Sequence, residues 1–297
     1  MLDSSWHWAA FTVTAAAAQT VRNATQRELT TRLGTVGATH VRFLFGLPFA
    51  LVFLGALAFA LGRAPPRPGA LFWPWVIDGA LAQIAATALM LAAMGERSFV
   101  VAIAYIKTEP VQVALFGLIL LGDALTPLMS IAILVATSGV VLMSPRSGVS
   151  GGMQPMVLGL AAGGLFGLSA IGYRGAILSL GEPSFVMAAT FTLVVGLALQ
   201  AGLLTLYLCV RERSVLVAIL RAWRPSLFAG LMGALASQFW FLAFAVATAA
   251  SVRTLALVEV LFAQAISRFL FGQPATPREA LGIVLIVAGV ALLLWAH

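Results

Sequence analysis

The chain predicts an all-α membrane protein, with ten transmembrane helices arranged as two inverted five-helix repeats. Three observations carry that expectation. The composition is too apolar for a soluble domain, the apolar runs form a regular series of bilayer-spanning length, and the run pattern recurs half a chain apart.

Of the 297 residues, 61% are hydrophobic and 9% charged, and the mean hydropathy is +1.04. So many apolar runs cannot share one buried core, and most reach the roughly 20 residues that cross hydrocarbon as a helix. The first run begins at Trp6 without a basic segment before it, so it is expected to stay in the mature chain as the first span. The net charge of +7 comes from 17 Lys and Arg against 10 Asp and Glu. Basic residues gather in connections such as Arg211-Glu212-Arg213 and Arg221 to Arg224. That is a loop-charge pattern, and it argues against nucleic acid as a partner. Cys209 is the single cysteine, and His7, His40 and His297 are widely separated, which excludes a disulfide scaffold and a structural metal site. No cofactor is expected. No phosphate-binding Gly-x-x-x-x-Gly-Lys-Ser/Thr loop occurs, so ATP is not the direct energy source.

Taken in order, the spans are expected near 6–26, 36–61, 71–94, 98–121, 126–144, 156–179, 184–210, 225–248, 250–271 and 277–296. The connection 62–70 is rich in Pro and Arg, Gly95-Glu96-Arg97 is a tight turn, and 144–154 (SPRSGVSGGMQ) is linker-like and lies at the midpoint. A gap-free shift of 150 residues aligns 107–143 with 257–293. Apolar identities weigh little in such a chain. The weight falls on Glu109/Glu259, Gly122/Gly272, Thr126/Thr276, Pro127/Pro277 and Gly139/Gly289. Gly122 and Gly272 end one span, and each Thr-Pro caps and starts the next. The repeats are therefore expected at 1–148 and 149–297. Five spans per repeat is odd, so the second enters the bilayer from the opposite side.

The motif Pro110…Gly122-Asp123-Ala124-Leu125-Thr126-Pro127…Gly139-Val140, with Gly272…Thr276-Pro277…Gly289-Val290 in the second half, resembles the EamA repeat of the drug/metabolite transporter superfamily. The resemblance spans both halves, and within the superfamily the chain is most similar to bacterial YddG-like exporters of amino acids and metabolites. It implies a ten-span transporter of the bacterial inner membrane, cytoplasmic termini, and a cavity lined by spans one, three, four, six, eight and nine. Lys107 and Glu109 stand where the YddG-like span four carries aromatic residues. Arginines on odd-numbered connections (Arg27, Arg32, Arg97, Arg146, Arg211, Arg213, Arg221, Arg224, Arg278) outnumber those on even ones (Arg63, Arg67), which would instead place both termini outside.

An ionised side chain at the bilayer centre costs at least ~2.5–3.5 kcal/mol, so intramembrane charges are the first functional candidates. Lys107 and Glu109 lie roughly 14–17 Å into span four and Glu259 about as deep into span nine. Lys107 and Glu109 are two residues apart on different helix faces and cannot pair along their own helix. Tyr105 and Gln112 share the Glu109 face. Two readings follow. In one, Lys107 pairs with Glu259 or Glu109 and locks the halves together. In the other, Lys107 or a nearby donor receives a substrate carboxylate, one glutamate receives an ammonium, and the other is structural or titrates with transport.

Polar stripes extend the candidates: Trp8, Thr12, Gln19, Asn23 and Gln26 on span one, Gln83 and Thr87 on span three, Ser169 and Tyr173 on span six. Gln238 and Trp240 on span eight lie on faces about 160° apart. Interhelical hydrogen bonding explains any single one of these equally well. Arg22, Arg174 and Arg268 sit near span ends, Arg253 opens span nine, and His40 and Arg42 are shallow in span two. All are expected to snorkel to the interface, with a gate ion pair as the alternative. Gly159, Gly163 and Gly167 permit close helix packing in span six, and Pro110 and Pro48 interrupt their spans.

The function expected is secondary transport, with export of small polar metabolites, amino acids foremost, by alternating access around a midplane site. The substrate-contacting or coupling set is Lys107, Glu109, Glu259, Tyr105, Gln19, Tyr173, Gln238 and Trp240. The partners are a small-molecule substrate and the lipid bilayer, with proton coupling or facilitated export both open and a monomer as the working unit. A multidrug or other metabolite carrier and a passive channel are the alternatives. An integral-membrane enzyme would need clustered catalytic groups that the scattered histidines do not supply.

Overall fold

The computed structural model describes residues 6–95, 105–143, 154–262, 264 and 276–296. Among them the chain is all helical: α1 (His7–Leu61), α2 (Phe72–Gly95), α3 (Glu109–Phe116, continuing as a π-helical turn Gly117–Leu121), α4 (Pro127–Met143), α5 (Gln154–Ser179), α6 (Phe185–Arg211), α7 (Arg213–Arg221), α8 (Trp223–Val246), α9 (Ala249–Leu255) and α10 (Pro277–Ala296). Among the described residues, six stretches are long and apolar enough to cross a membrane: Leu29–Leu61, Phe72–Ala92, Val157–Ser179, Phe185–Arg211, Trp223–Val246 and Pro277–Ala296. The chain is thus a multi-pass helical membrane protein. Glu109–Leu121 and Pro127–Met143 are shorter apolar helices. The linker 144–153, the start of span four at 98–104, and most of 263–275, including Arg268 and Gly272, lie outside the described residues.

The first two spans differ from expectation. Helix runs through the supposed connection 27–35, so α1 is 55 residues long and broken only at Gly34, whose φ of 69° and ψ of 176° only glycine adopts readily. The Gln26 amide spans that break, donating to the Ala38 carbonyl at 3.0 Å. The basic stretch 213–221, read as a connection, is the helix α7. It buries Ile219 and leaves Val217 and Leu220 exposed.

Helix starts match the residues that the sequence singles out. Thr126 Oγ1 accepts from the Met129 amide at 3.2 Å ahead of Pro127. Thr276 does the same for Glu279 at 3.2 Å, and the Glu279 carboxylate accepts from the Thr276 amide at 2.7 Å, closing a capping box. Gly122 ends the π turn in the left-handed region at φ 66°.

The main helix pairings are α1 with α8, α2 with α5, and α4 with α10. Small residues bring backbones together in each, as is usual where lipid removes the hydrophobic drive between helices. A Cβ on Gly289 would lie 2.5 Å from the Ala136 amide nitrogen, and one on Gly172 2.6 Å from that of Gly79. Gly163 and Gly167 admit α3 in the same way, their would-be Cβ atoms lying 3.0 Å from the Ile106 carbonyl oxygen and 3.0 Å from Val113. The core at the centre is aromatic, with Phe43, Phe72, Tyr173, Trp240, Phe241 and Phe244 buried.

Candidate functional site

Two helices are interrupted at positions about 150 residues apart. Ahead of α3 the chain turns at Lys107 and Thr108, with the Thr108 amide bonded to the Tyr105 carbonyl and the Val111 amide to that of Thr108, both at 3.1 Å. Beyond α9 it turns at Ala256 and Leu257, where the Glu259 amide reaches the Ala256 carbonyl and the Val260 amide that of Leu257, both at 3.0 Å. Pro110 stands in the first turn after the first break and has no amide to donate. The second occurs without a proline.

The breaks bring four charges together in crossed pairs. Lys107 Nζ donates to Glu259 Oε2 at 3.0 Å, and Arg253 Nε lies 3.0 Å from Glu109 Oε1. Each acid therefore takes its cation from the other interrupted helix. The environments differ. Glu259 also accepts from the Gln19 amide at 3.3 Å, and Gln19 accepts from the Trp240 indole N–H at 3.1 Å. Arg253 lies over the rings of Trp240 (4.7 Å) and Phe244 (5.4 Å). Its contact with Glu109 is not aligned as a hydrogen bond, since Arg253 Nε and Glu109 Oε1 both lack a hydrogen-bond partner.

These residues line a cavity of about 100 Å³ between α1, α2, α3, α5, α8 and α9. Of the predicted set, Lys107, Glu109, Glu259, Gln19, Tyr173 and Trp240 line it. Tyr173 is 1% exposed, packs against Phe241 with the rings tilted and their centroids 4.5 Å apart, and donates its hydroxyl to Gln83 at 3.4 Å. Tyr105 and Gln238 are not on its wall. Tyr105 contributes its carbonyl to the turn below Lys107. Gln238 turns toward α6, where its amide donates to Thr190 Oγ1 at 2.8 Å, as its position on the face opposite Trp240 requires. Among the stripes, Asn23, Gln83 and Ser169 also reach the cavity.

The snorkelling expectation fails for Arg22, Arg42, Arg174 and Arg253. Arg22 (2% exposed), Arg42 (4%) and Arg253 all line the cavity. His40 is fully buried beside Thr205 Oγ1 at 3.1 Å. Arg174 donates to the Phe244 carbonyl at 2.6 Å and to that of Ala247, and pairs with Asp123 at 3.4 Å, tying the end of α8 to the turn after Gly122. For Arg22 the misplacement traces to the first span's length. With helix continuing past residue 26 to Gly34, Arg22 lies roughly 18 Å from that break rather than near a span end. The signal was present, since Arg22 falls on the face that carries Gln19, Asn23 and Gln26 at helical spacing. The lining thus holds four cations, Arg22, Arg42, Lys107 and Arg253, against two carboxylates.

Neither a protein-family model nor a curated protein matches the chain. A solved structure described only as a crystal structure of a protein superposes over 98% of this chain and 96% of its own, with a TM-score of 0.69 at 15% identity. That similarity establishes a shared fold.

Proposed function

We propose that this chain is a secondary transporter, carrying small polar metabolites by alternating access around the charged cavity. One observation carries the reading: a buried polar cavity at the junction of two interrupted helices in a membrane protein. Irregular backbone at membrane depth is tolerated where it lines such a cavity, and discontinuous helices form the substrate sites of inverted-repeat carriers. Ten spans in two inverted repeats, 1–148 and 149–297, are supported by the packing. The pairing of α2 with α5 is matched five spans on by α8 with α1, while α4 with α10 and α3 with α9 each map onto themselves. On this reading the chain is a YddG-like member of the EamA group of the drug/metabolite transporters in the bacterial inner membrane, working in the export direction. Amino acids are the first substrates to screen. Lys107, Glu109, Glu259, Gln19, Tyr173 and Trp240 contact substrate or couple its movement.

Reconstitution into proteoliposomes tests this. A carrier gives saturable uptake that is accelerated by substrate on the far side, and it loses that flux in folded Glu259→Gln or Lys107→Ala protein. A rate linear to high concentration would assign a channel instead, and flux indifferent to both substitutions would remove the Lys107–Glu259 pair from the pathway.

A further inference from the structure

Lys107 and Arg253 each face a carboxylate in the cavity; Arg22 and Arg42 do not. Among the described residues no carboxylate lies within ion-pair distance of either. Arg22 is bonded to the side-chain oxygen of its neighbour Asn23 at 2.8 Å, and Arg42 to Thr87 Oγ1 at 3.3 Å. Nη1 of Arg22 and Nε of Arg42 have no acceptor at all. The two side chains are also adjacent, since both stems pack at one point of α8. A Cβ on Gly233 would lie 3.4 Å from Cγ of Arg42 and 3.5 Å from Cδ of Arg22.

Two like charges held together away from water oppose each other and lose hydration. An oxyanion placed between them removes both penalties, and the planar guanidinium fork matches a carboxylate or phosphate in a way that an ammonium or amide does not. Since Lys107 and Arg253 are already matched by Glu259 and Glu109, the excess positive charge of the cavity resides on this arginine pair.

We propose that Arg22 and Arg42 form an oxyanion subsite and that the cavity takes a small organic anion bearing a carboxylate or phosphate in excess of its positive charges. The inference rests on the cavity being the substrate site and narrows its class from polar metabolites in general to anions.

Thermal unfolding of the detergent-solubilised full chain tests it, with succinate, inorganic phosphate, alanine and lysine as probes. Succinate, phosphate or both should raise the melting temperature saturably, and which of them does so distinguishes carboxylate from phosphate as the recognised group. Alanine and lysine should not. In Arg22→Gln and Arg42→Gln the anion's apparent affinity should fall about 10–100-fold, the weight of one charged hydrogen-bonded contact. The ligand-free melting temperature should be unchanged or higher, because each substitution deletes an unpaired buried charge. Arg22→Lys and Arg42→Lys keep the charge without the fork, should bind anions with intermediate affinity, and decide the matter if a glutamine variant does not fold. Stabilisation by alanine or lysine without any by the anions would overturn the proposal, as would anion stabilisation undiminished in the arginine variants. Counterflow separates this from the broader reading. Anion binding without exchange would retire the carrier and leave the subsite, whereas alanine exchange unaffected by succinate would retire the subsite and leave the carrier.

Discussion

The break at Lys107–Thr108 and the break at Ala256–Leu257 have nearly the same backbone and different surroundings. Each is a tight turn next to a glutamate, and each glutamate is matched by a cation from the other break. Around Glu259 the ion pair is also a hydrogen bond, with Gln19 and Trp240 continuing the chain of donors. Around Glu109 the cation is wedged against two aromatic rings and meets the carboxylate without an aligned hydrogen bond. The second pair is a matter of charge matching alone, while the first is part of a polar network. The two should therefore respond differently to the same kind of substitution.

The largest effect is expected on the aromatic side. Arg253→Ala strips Glu109 of its counter-charge in a setting where its Oε1 already lacks a donor, and should destabilise by about 3–5 kcal/mol, the usual cost of orphaning one member of a buried pair. Glu109→Gln combined with Arg253→Gln should recover most of that loss. A double-mutant cycle on unfolding in detergent measures both. If the single and the double variants were equally destabilised, the charge match would not be what holds the aromatic side.

Glu259→Gln should cost less, about 1–2 kcal/mol. The amide oxygen can still accept from Gln19, and the Lys107 side chain is 21% exposed. Its effect on counterflow should exceed its effect on stability, and the opposite ranking would make this pair a brace rather than part of the pathway.

Much of this geometry is legible in the sequence because polar residues are so costly in an apolar chain. Glu109, Glu259 and Lys107 stand out by depth, and the Thr-Pro and glycine matches name their own mechanical jobs at Thr126, Thr276, Gly139 and Gly289. What escapes is whatever depends on where a helix ends. Arg22 looks terminal until helix is carried to Gly34, because the polar stretch 27–33 reads as a connection although it is helical. The partner of each acid also escapes, since nothing local links residue 109 to 253 or 107 to 259. Gln238 and Tyr105 show the converse: polar residues in the right helices, turned by their register toward another contact.

The smallest effects concern proline. The sequence makes Pro110 look like the cause of asymmetry, because its counterpart is Val260, yet both helices break. Val260 keeps an amide that donates to the Leu257 carbonyl at 3.0 Å, so Val260→Pro deletes one hydrogen bond and should cost about 1 kcal/mol. Pro110 lies in the first turn of α3, where amides have no partner within the helix, so replacing it relieves no clash and restores no ladder. Pro110→Ala should then change stability by no more than about 0.5 kcal/mol and leave counterflow near the parent rate. A large loss of flux in Pro110→Ala at unchanged stability would show that the proline sets the opening of span four, and that the two breaks, alike in this state, part ways when the cavity changes sides.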